Sequence, residues 1–233
     1  MFEAEADGLG ELRSAGVLRV PEVFDCGIRN GQSFIEMERF SFDAPTTATE
    51  QQLGVQLAAL HRQTSDQFGW IRDNTIGATP QLNRRSDDWV EFFRKQRLQF
   101  QLELAAKNGF GPQLQEAGRL LVSNLERLFD GYSPVASLLH GDLWAGNWGS
   151  VAGEPVVFDP AVYYGDRESD IAMTRLFGGF GSAFYAAYLA DWPLARGHEQ
   201  RFKLYQLYHV LNHLNLFGDS YLGQARKLLR ELT

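Results

Sequence analysis

Cysteine and lysine are both scarce in this 233-residue chain. The single cysteine, Cys26, excludes an internal disulfide framework and is typical of a reducing compartment, which favours a cytoplasmic location. We expect Cys26 to be a buried strand residue. Lysine occurs only at Lys95, Lys107, Lys203 and Lys227. The first two fall in a predicted helix with a polar face, so their ammonium groups are expected to be solvated.

Other features are missing altogether. No apolar run is long enough to span a membrane, and no basic segment precedes an apolar stretch as in a signal peptide. The net charge of -7 argues against binding nucleic acid, which usually requires a basic face. His209 and His213 lie one helical turn apart without an H-E-x-x-H pattern, so no zinc site is expected. A hydrophobic content of 44% remains, enough for one core or for a small and a large lobe.

The N-terminal 40 residues predict one helix and one β-hairpin. Apolar residues recur at helical spacing over residues 1–14, and Asn30-Gly31 is a strong hairpin turn signal between strands at 20–26 and 33–38. A lone two-stranded hairpin is marginal in water, so we interpret this unit as the remnant of a larger sheet whose earlier strands are missing. An irregular polar linker is predicted over 39–48.

Most of the remaining chain has helical patterns. Leu53, Leu57 and Leu60 form one apolar stripe, and Ser86 is positioned to cap a second helix that carries Trp89. An ordered loop is predicted over 65–85, short strands over 135–139 and 156–158, a turn over 149–155, and further helices over 168–191 and 198–230.

The most informative segment lies between the two predicted strands. His140, Asp142 and Asn147 follow the pattern H-x-D-x-x-x-x-N, and a later apolar strand ends in Asp159. Phosphoryl transfer needs one base near a hydroxyl group and two oxygen ligands for Mg²⁺, and kinases use this spacing for both. The pattern therefore predicts a kinase with Asp142 as the base and Asn147 and Asp159 as metal ligands. A loop aspartate, a turn residue and a strand-end cap are the structural alternatives.

Neighbouring residues are assigned supporting roles. We expect His140 to hold the loop by hydrogen bonds, because Asp142 already fills the role of base. Trp144 and Trp148 flank the motif, where either could stack on a sugar ring or simply pack. Asp170 either caps its helix or hydrogen-bonds the catalytic loop, and we favour a structural role.

The chain resembles the fructosamine kinases, also called ketosamine-3-kinases, in the runs L-H-G-D-L-W-A-G-N-W at 139–148 and F-D-P-A-V-Y-Y-G-D-R-E-S-D-I-A-M-T at 158–174. Residues 1–12 and a segment with F-G-W at 68–70 and T-P-Q at 79–81 also match. The D-P-A-V-Y-Y-G block is more specific than H-G-D, which the wider aminoglycoside- and choline-kinase-like group shares. The likeness covers essentially the whole chain.

This resemblance implies an α+β, protein-kinase-like bilobal fold. Residues 1–40 would be an incomplete N-terminal lobe with the hinge, and 41–233 a mainly helical catalytic and substrate lobe. It further implies phosphorylation of the sugar 3-hydroxyl of fructosamine or ribulosamine adducts, a protein-deglycation type of repair, with ATP and Mg²⁺ as cofactors. Glu5 would pair with the lysine that binds ATP phosphates. Met37, Glu38 and Arg39 would border adenine.

Members of the family carry a phosphate loop and that lysine on strands ahead of the Glu5 helix. Neither is found before Met1, so we expect an N-terminally truncated chain with little turnover. The alternatives are a kinase for an amino sugar or an amino alcohol, and a non-catalytic pseudokinase that binds a metabolite. The edge over 23–26 could also support a homodimer.

Overall fold

The N-terminal part of the molecule is a helix followed by a hairpin. The computed structural model describes residues 1–233, with helix α1 at Phe2–Ser14 and antiparallel strands β1 (Val23–Arg29) and β2 (Gln32–Met37). Asn30 and Gly31 form the turn with φ of 54° and 78°, as the Asn-Gly signal predicts. Cys26 lies in β1 but is only half-buried, so the expectation of a buried cysteine was wrong. The hairpin has no other strand against it that would cover this side chain.

Helices dominate the rest of the chain. Helix α2 (Thr47–His61) begins with a capping box at Thr46, and the side chains of Leu53, Leu57 and Leu60 are fully buried, which confirms the predicted stripe. The later helices are α3 (Trp89–Phe93), α4 (Phe100–Lys107), α5 (Pro112–Ser123), α6 (Glu168–Leu176), α7 (Ser182–Asp191), α8 (His198–Phe217) and α9 (Leu222–Leu232). A π-helical stretch over Arg94–Gln99 joins α3 to α4. None of the helices has the length and apolar character needed to cross a bilayer.

The strands pair only in twos, and every pair is antiparallel. The three pairs after the N-terminal hairpin are β3 (Asn74–Ile76) with β4 (Thr79–Gln81), β5 (Ser137–Leu139) with β8 (Tyr163–Gly165), and β6 (Trp148–Val151) with β7 (Glu154–Val157). In register, Leu139 lies opposite Tyr163, and Trp148 lies opposite Val157. These two pairs bring the ends of the predicted catalytic segments to the same place.

A single apolar core of 46 buried residues lies beneath these strands. Helix α8 is its centre, because Leu204, Leu207 and Leu211 are all fully buried. The core also reaches α1 through Leu9 and Leu12, so the N-terminal helix is packed against the larger part of the molecule. This continuity fixes the position of α1 relative to the catalytic segments.

Two loop predictions were wrong in part. The segment 65–85 contains the β3–β4 hairpin, whose three-residue strands are too short to show an alternating pattern. Strands β6 and β7 occupy most of 149–155, where we expected a turn, and only Ala152 and Gly153 turn the chain, with φ of 54° and 82°.

The predicted helix cap at Ser86 was also wrong. The carboxylate of Asp88 caps α3 by accepting a hydrogen bond from the Glu91 amide at 3.0 Å. Ser86 instead donates its hydroxyl hydrogen to the carbonyl oxygen of Asp88 at 3.0 Å, which sets up the turn before the helix.

Candidate active site

Two strand connections carry the predicted catalytic residues. Asp142 lies in the connection from β5 to β6, and Asn147 immediately precedes β6. Asp159 follows β7 in the connection to β8, with a left-handed φ of 55°. Because β6 and β7 form a tight hairpin, Asn147 and Asp159 are brought to its open end together.

The amide of Asn147 joins the two connections. Its Nδ2 donates to the carbonyl oxygens of Asp142 at 2.9 Å and of Asp159 at 3.3 Å, and lies 3.4 Å from Asp142 Oδ2. With both amide hydrogens engaged in this way, Oδ1 is the atom left for a ligand. The structure therefore brings Asp142, Asn147 and Asp159 together, as the motif predicts.

Helix α1 adds a third acid to this place. Gly8 lacks a side chain where Val162 packs closest, and the Tyr164 hydroxyl donates to Glu11 at 2.8 Å, so α1 lies directly on the connection after Asp159. Glu5, one turn earlier, faces a cavity of about 450 Å³ that Asp142 and Asp159 also line.

No lysine or arginine lines this cavity, although three carboxylates do. Burial, with the nearby charge of Asp159, raises the pKa of Asp142 to about 7. The same two causes raise the pKa of Glu5 above its ordinary value. A cation held beside Asp159 would favour the charged forms of Asp142 and Glu5.

Asp170 anchors the backbone of the β5–β6 connection, which carries Asp142. Its carboxylate accepts hydrogen bonds from the backbone amides of His140 at 2.8 Å and Gly141 at 2.9 Å, and His61 Nε2 lies 3.2 Å away. Burial alone would raise the pKa of Asp170, yet these hydrogen bonds hold it below its ordinary value. Asp170 thus contacts the catalytic loop and makes no helix cap.

His140 is fully buried, and both ring nitrogens are engaged. Nε2 lies 3.1 Å from the Phe158 carbonyl oxygen, and Nδ1 lies 3.3 Å from the Asp142 amide. The imidazole therefore bridges the connections that carry Asp142 and Asp159, which supports a structural role.

The two tryptophans have different surroundings. Trp148 is 8% exposed and stacks on Phe180, so ordinary packing accounts for it. Trp144 is 39% exposed and meets Phe177 edge to face. Phe177 in turn contacts His213, so the three rings form one continuous aromatic cluster.

Met37, Glu38 and Arg39 lie at the end of β2. None of them is among the residues that line the cavity, and Glu38 pairs with Arg19 at 3.0 Å. The structure does not bring these three side chains to the acidic cluster.

Sequence reasoning missed the β3–β4 hairpin as a wall of the site. Asn74 lines the cavity and donates to the Val162 carbonyl at 2.8 Å, while Gln81 Nε2 donates to the Ala161 carbonyl at 3.0 Å. The hairpin thus holds the connection that follows Asp159. Two buried polar residues around a Gly-containing turn were the available signal.

His209 is a second omission. Its Nδ1 lies 3.9 Å from Asp142 Oδ1 and has no hydrogen-bond partner. A histidine in an apolar helix 67 positions from Asp142 carries no local sign of that proximity.

The buried histidines predict a loss of stability in acid. Burial lowers the pKa of His61 and His140 below 6.5 and that of His209 to about 3. Protons therefore bind the unfolded chain first, so the stabilisation present above pH 6.5 is lost as the pH falls. For His209 this loss continues to about pH 3, at about 1.4 kcal/mol per pH unit. Urea unfolding at pH 7, 6, 5 and 4 measures how the free energy of unfolding falls with pH.

The matched variants are His209→Asn and His198→Asn, the second at a partly exposed site. Only the first should flatten the decline between pH 6 and 4, by about 1.4 kcal/mol per unit. Equal slopes in both variants would contradict the assignment.

Comparison with known proteins gives consistent results. The model of a family described as fructosamine kinase matches residues 1–233. The chain is 44% identical to a Synechocystis protein described as a probable ketoamine kinase, over 99% of this chain and 78% of that protein. It is 42% identical to the chloroplastic protein-ribulosamine 3-kinase of rice, over 98% of this chain and 68% of that protein.

Solved structures agree with these relatives. A structure assigned as a fructosamine-3-kinase of Haemophilus somnus superposes with a TM-score of 0.92 at 32% identity, over 100% of this chain and 79% of the other. An ADP-bound aminoglycoside phosphotransferase gives 0.63 at 13% identity, over 99% and 81%, which shows the fold alone. The predicted kinase-like fold is confirmed.

Proposed function

The chain belongs to the fructosamine kinase family, and from that premise we propose that it transfers the γ-phosphoryl group of ATP to the 3-hydroxyl of a ketosamine. That the chain is a kinase follows from the family, and the family implies ATP as the phosphoryl donor. Ketosamine phosphorylation is the activity that the named relatives support. A fructosamine or ribulosamine adduct, free or on a protein amine, is the proposed acceptor.

The observation that carries the mechanism is the acidic cavity without a basic side chain. Asn147 Oδ1 and the Asp159 carboxylate are the oxygen atoms that would hold Mg²⁺, because Asn147 uses its amide hydrogens elsewhere. Bound there with ATP, the ion would offset the charge of the phosphates. Glu5 lines the same cavity and would complete a phosphate-binding arrangement if a cation were placed beside it.

Asp142 is the proposed base. Its carboxylate accepts the proton of the sugar hydroxyl and orients that oxygen towards the phosphorus atom. Asn147 and His140 hold the backbone on either side of it, so the carboxylate needs little rearrangement. Burial first, and then the charges of Asp159 and Asp170, raise the pKa of Asp142 to about 7, and a bound cation would lower that pKa.

The exposed face of Trp144 is the proposed contact for the acceptor sugar. Trp144 follows the proposed base by two residues, and its exposed ring offers the apolar surface that sugar C–H groups stack on, with Phe177 packed against it edge to face. We further propose that Met37 to Arg39 border the adenine ring. We also propose that residues 1–40 and 41–233 form the two lobes.

Steady-state phosphorylation of a panel of acceptors tests the function. Residues 1–233 place no cationic side chain in the cavity, so we expect slow but measurable ADP release with Mg²⁺ and a ribulosamine or fructosamine. Preference for an aminoglycoside or for choline would instead favour the amino-sugar or amino-alcohol kinase. Binding of Mg²⁺-ATP with no acceptor-dependent turnover would favour the pseudokinase.

A further inference from the structure

A second cavity of about 210 Å³ is lined by Ser137 at the start of β5, whereas the connection that carries Asp142 follows the end of that strand. Its walls come from the segment before β5, the residue that precedes α6 and the chain after α7. The polar and aromatic side chains in these walls include those of Ser133, Ser137, Arg167 and Trp192. None of them lines the acidic cavity, so the two sites are separate.

Arg167 is 5% exposed and belongs to no ion pair. Its Nη1 donates to the Tyr188 hydroxyl at 2.9 Å and the Trp192 carbonyl at 3.1 Å, and its Nη2 donates to the Pro193 carbonyl at 2.6 Å. A guanidinium has five N–H groups, so one on Nε and one on Nη2 remain uncommitted. A buried arginine normally finds a carboxylate or phosphate for such donors, often with two parallel bonds.

Ser137 supplies a second unsatisfied group in the same cavity wall. The residue is fully buried, and its Oγ has no hydrogen-bond partner. A buried hydroxyl without a partner is unfavourable unless a ligand or water completes its bonding. Ser133, exposed at the rim, adds another hydroxyl.

The charges around the cavity favour an anion. The Trp192 ring has the Arg167 guanidinium 4.2 Å from its centroid and the Arg62 guanidinium at 4.8 Å. Arg62 is paired with Asp191, whereas the charge of Arg167 has no direct partner. Two buried acids flank Arg167 in the sequence: Asp166 accepts hydrogen bonds from Tyr132 and Tyr205, and Glu168 is paired with Arg201.

We propose that this cavity binds a small oxyanion, a phosphate or carboxylate group, through the free Nε–H and Nη2–H of Arg167 and the hydroxyl of Ser137. Its volume is below the roughly 300–1,000 Å³ of drug-sized sites, so the ligand is an inorganic ion or the terminal group of a small metabolite. Ser137 begins β5, and β5 leads directly into the connection that carries Asp142.

Isothermal titration with inorganic phosphate, and separately with acetate, tests the site. The solution contains EDTA, so that phosphate cannot bind through a metal ion at the acidic cavity. We expect phosphate or acetate to bind with a dissociation constant of about 1 mM or tighter, and the tighter of the two identifies the chemistry. The bound form should also unfold at a higher temperature.

The decisive variants lie at the rim, because replacing Arg167 would also break its three structural bonds. Ser133→Glu places a competing carboxylate beside Arg167 and should weaken binding by at least about tenfold. Ser133→Gln introduces a neutral side chain of the same size as glutamate. Its dissociation constant for the anion should lie within about twofold of the parent value. Absence of binding by the parent chain, or equal binding by both variants, would overturn the proposal.

Discussion

Asp142→Asn is expected to reduce kcat for ketosamine phosphorylation by about 10²- to 10⁴-fold, the range that loss of a positioned general base produces. Asparagine has nearly the same shape, so Asn147 can keep its bond to the backbone oxygen at position 142. What disappears is the group that accepts the hydroxyl proton. Because Asp142 is not a proposed metal ligand, the KM for Mg²⁺-ATP should change by less than about threefold.

Asp7→Asn provides the matched control. Asp7 is an aspartate of helix α1 that pairs with Arg72 at the surface and does not line the cavity. Phosphoryl transfer should be unchanged in that variant. Suppose that Asp142→Asn unfolds like the parent and keeps its kcat within about threefold of the parent value. Asp142 would then not be the base.

Asp159→Asn distinguishes base from metal ligand in the same assay. Loss of the Asp159 carboxylate is expected to raise the Mg²⁺ concentration required for half-maximal rate. Asp142→Asn should leave that concentration unchanged.

The three catalytic candidates were predictable because their proximity is encoded locally. Asp142 and Asn147 share one connection, and Asp159 is returned to them by the short β6–β7 hairpin. No long-range information was needed to expect one site. The fold class followed from the resemblance to the family, which extends over the whole chain, and the family model matches residues 1–233.

What the sequence could not supply depends on contacts distant along the chain. Asn74 and Gln81 reach the connection after Asp159 from about 80 positions away, on strands too short for a periodic signal. His209 approaches Asp142 from the central helix. The choice between the two roles of Asp170 likewise required the tertiary position of α6, because both roles fit an aspartate near a helix start.

Gly141→Ala is expected to destabilise the folded chain by about 2–5 kcal/mol and to abolish phosphoryl transfer. Gly141 has a left-handed φ of 84°, and an added Cβ would overlap the carbonyl oxygen of Ala161. Ala161 cannot retreat easily, since its backbone nitrogen donates to the His140 carbonyl at 2.9 Å and its carbonyl oxygen accepts from Gln81 at 3.0 Å. Relief of the overlap must therefore separate the connections that carry Asp142 and Asp159.

Gly153→Ala separates the two causes of that effect. Gly153 has a φ of 82°, nearly that of Gly141, but no atom lies within 4 Å of the position that its Cβ would occupy. The free energy of unfolding of this variant should fall only by the cost of the left-handed conformation, about 1–2 kcal/mol, and its activity should equal that of the parent. Urea unfolding measures both free energies. If Gly141→Ala is no less stable than Gly153→Ala, the two connections can move apart at little cost. That result would contradict the rigid placement of Asp142 against Asp159.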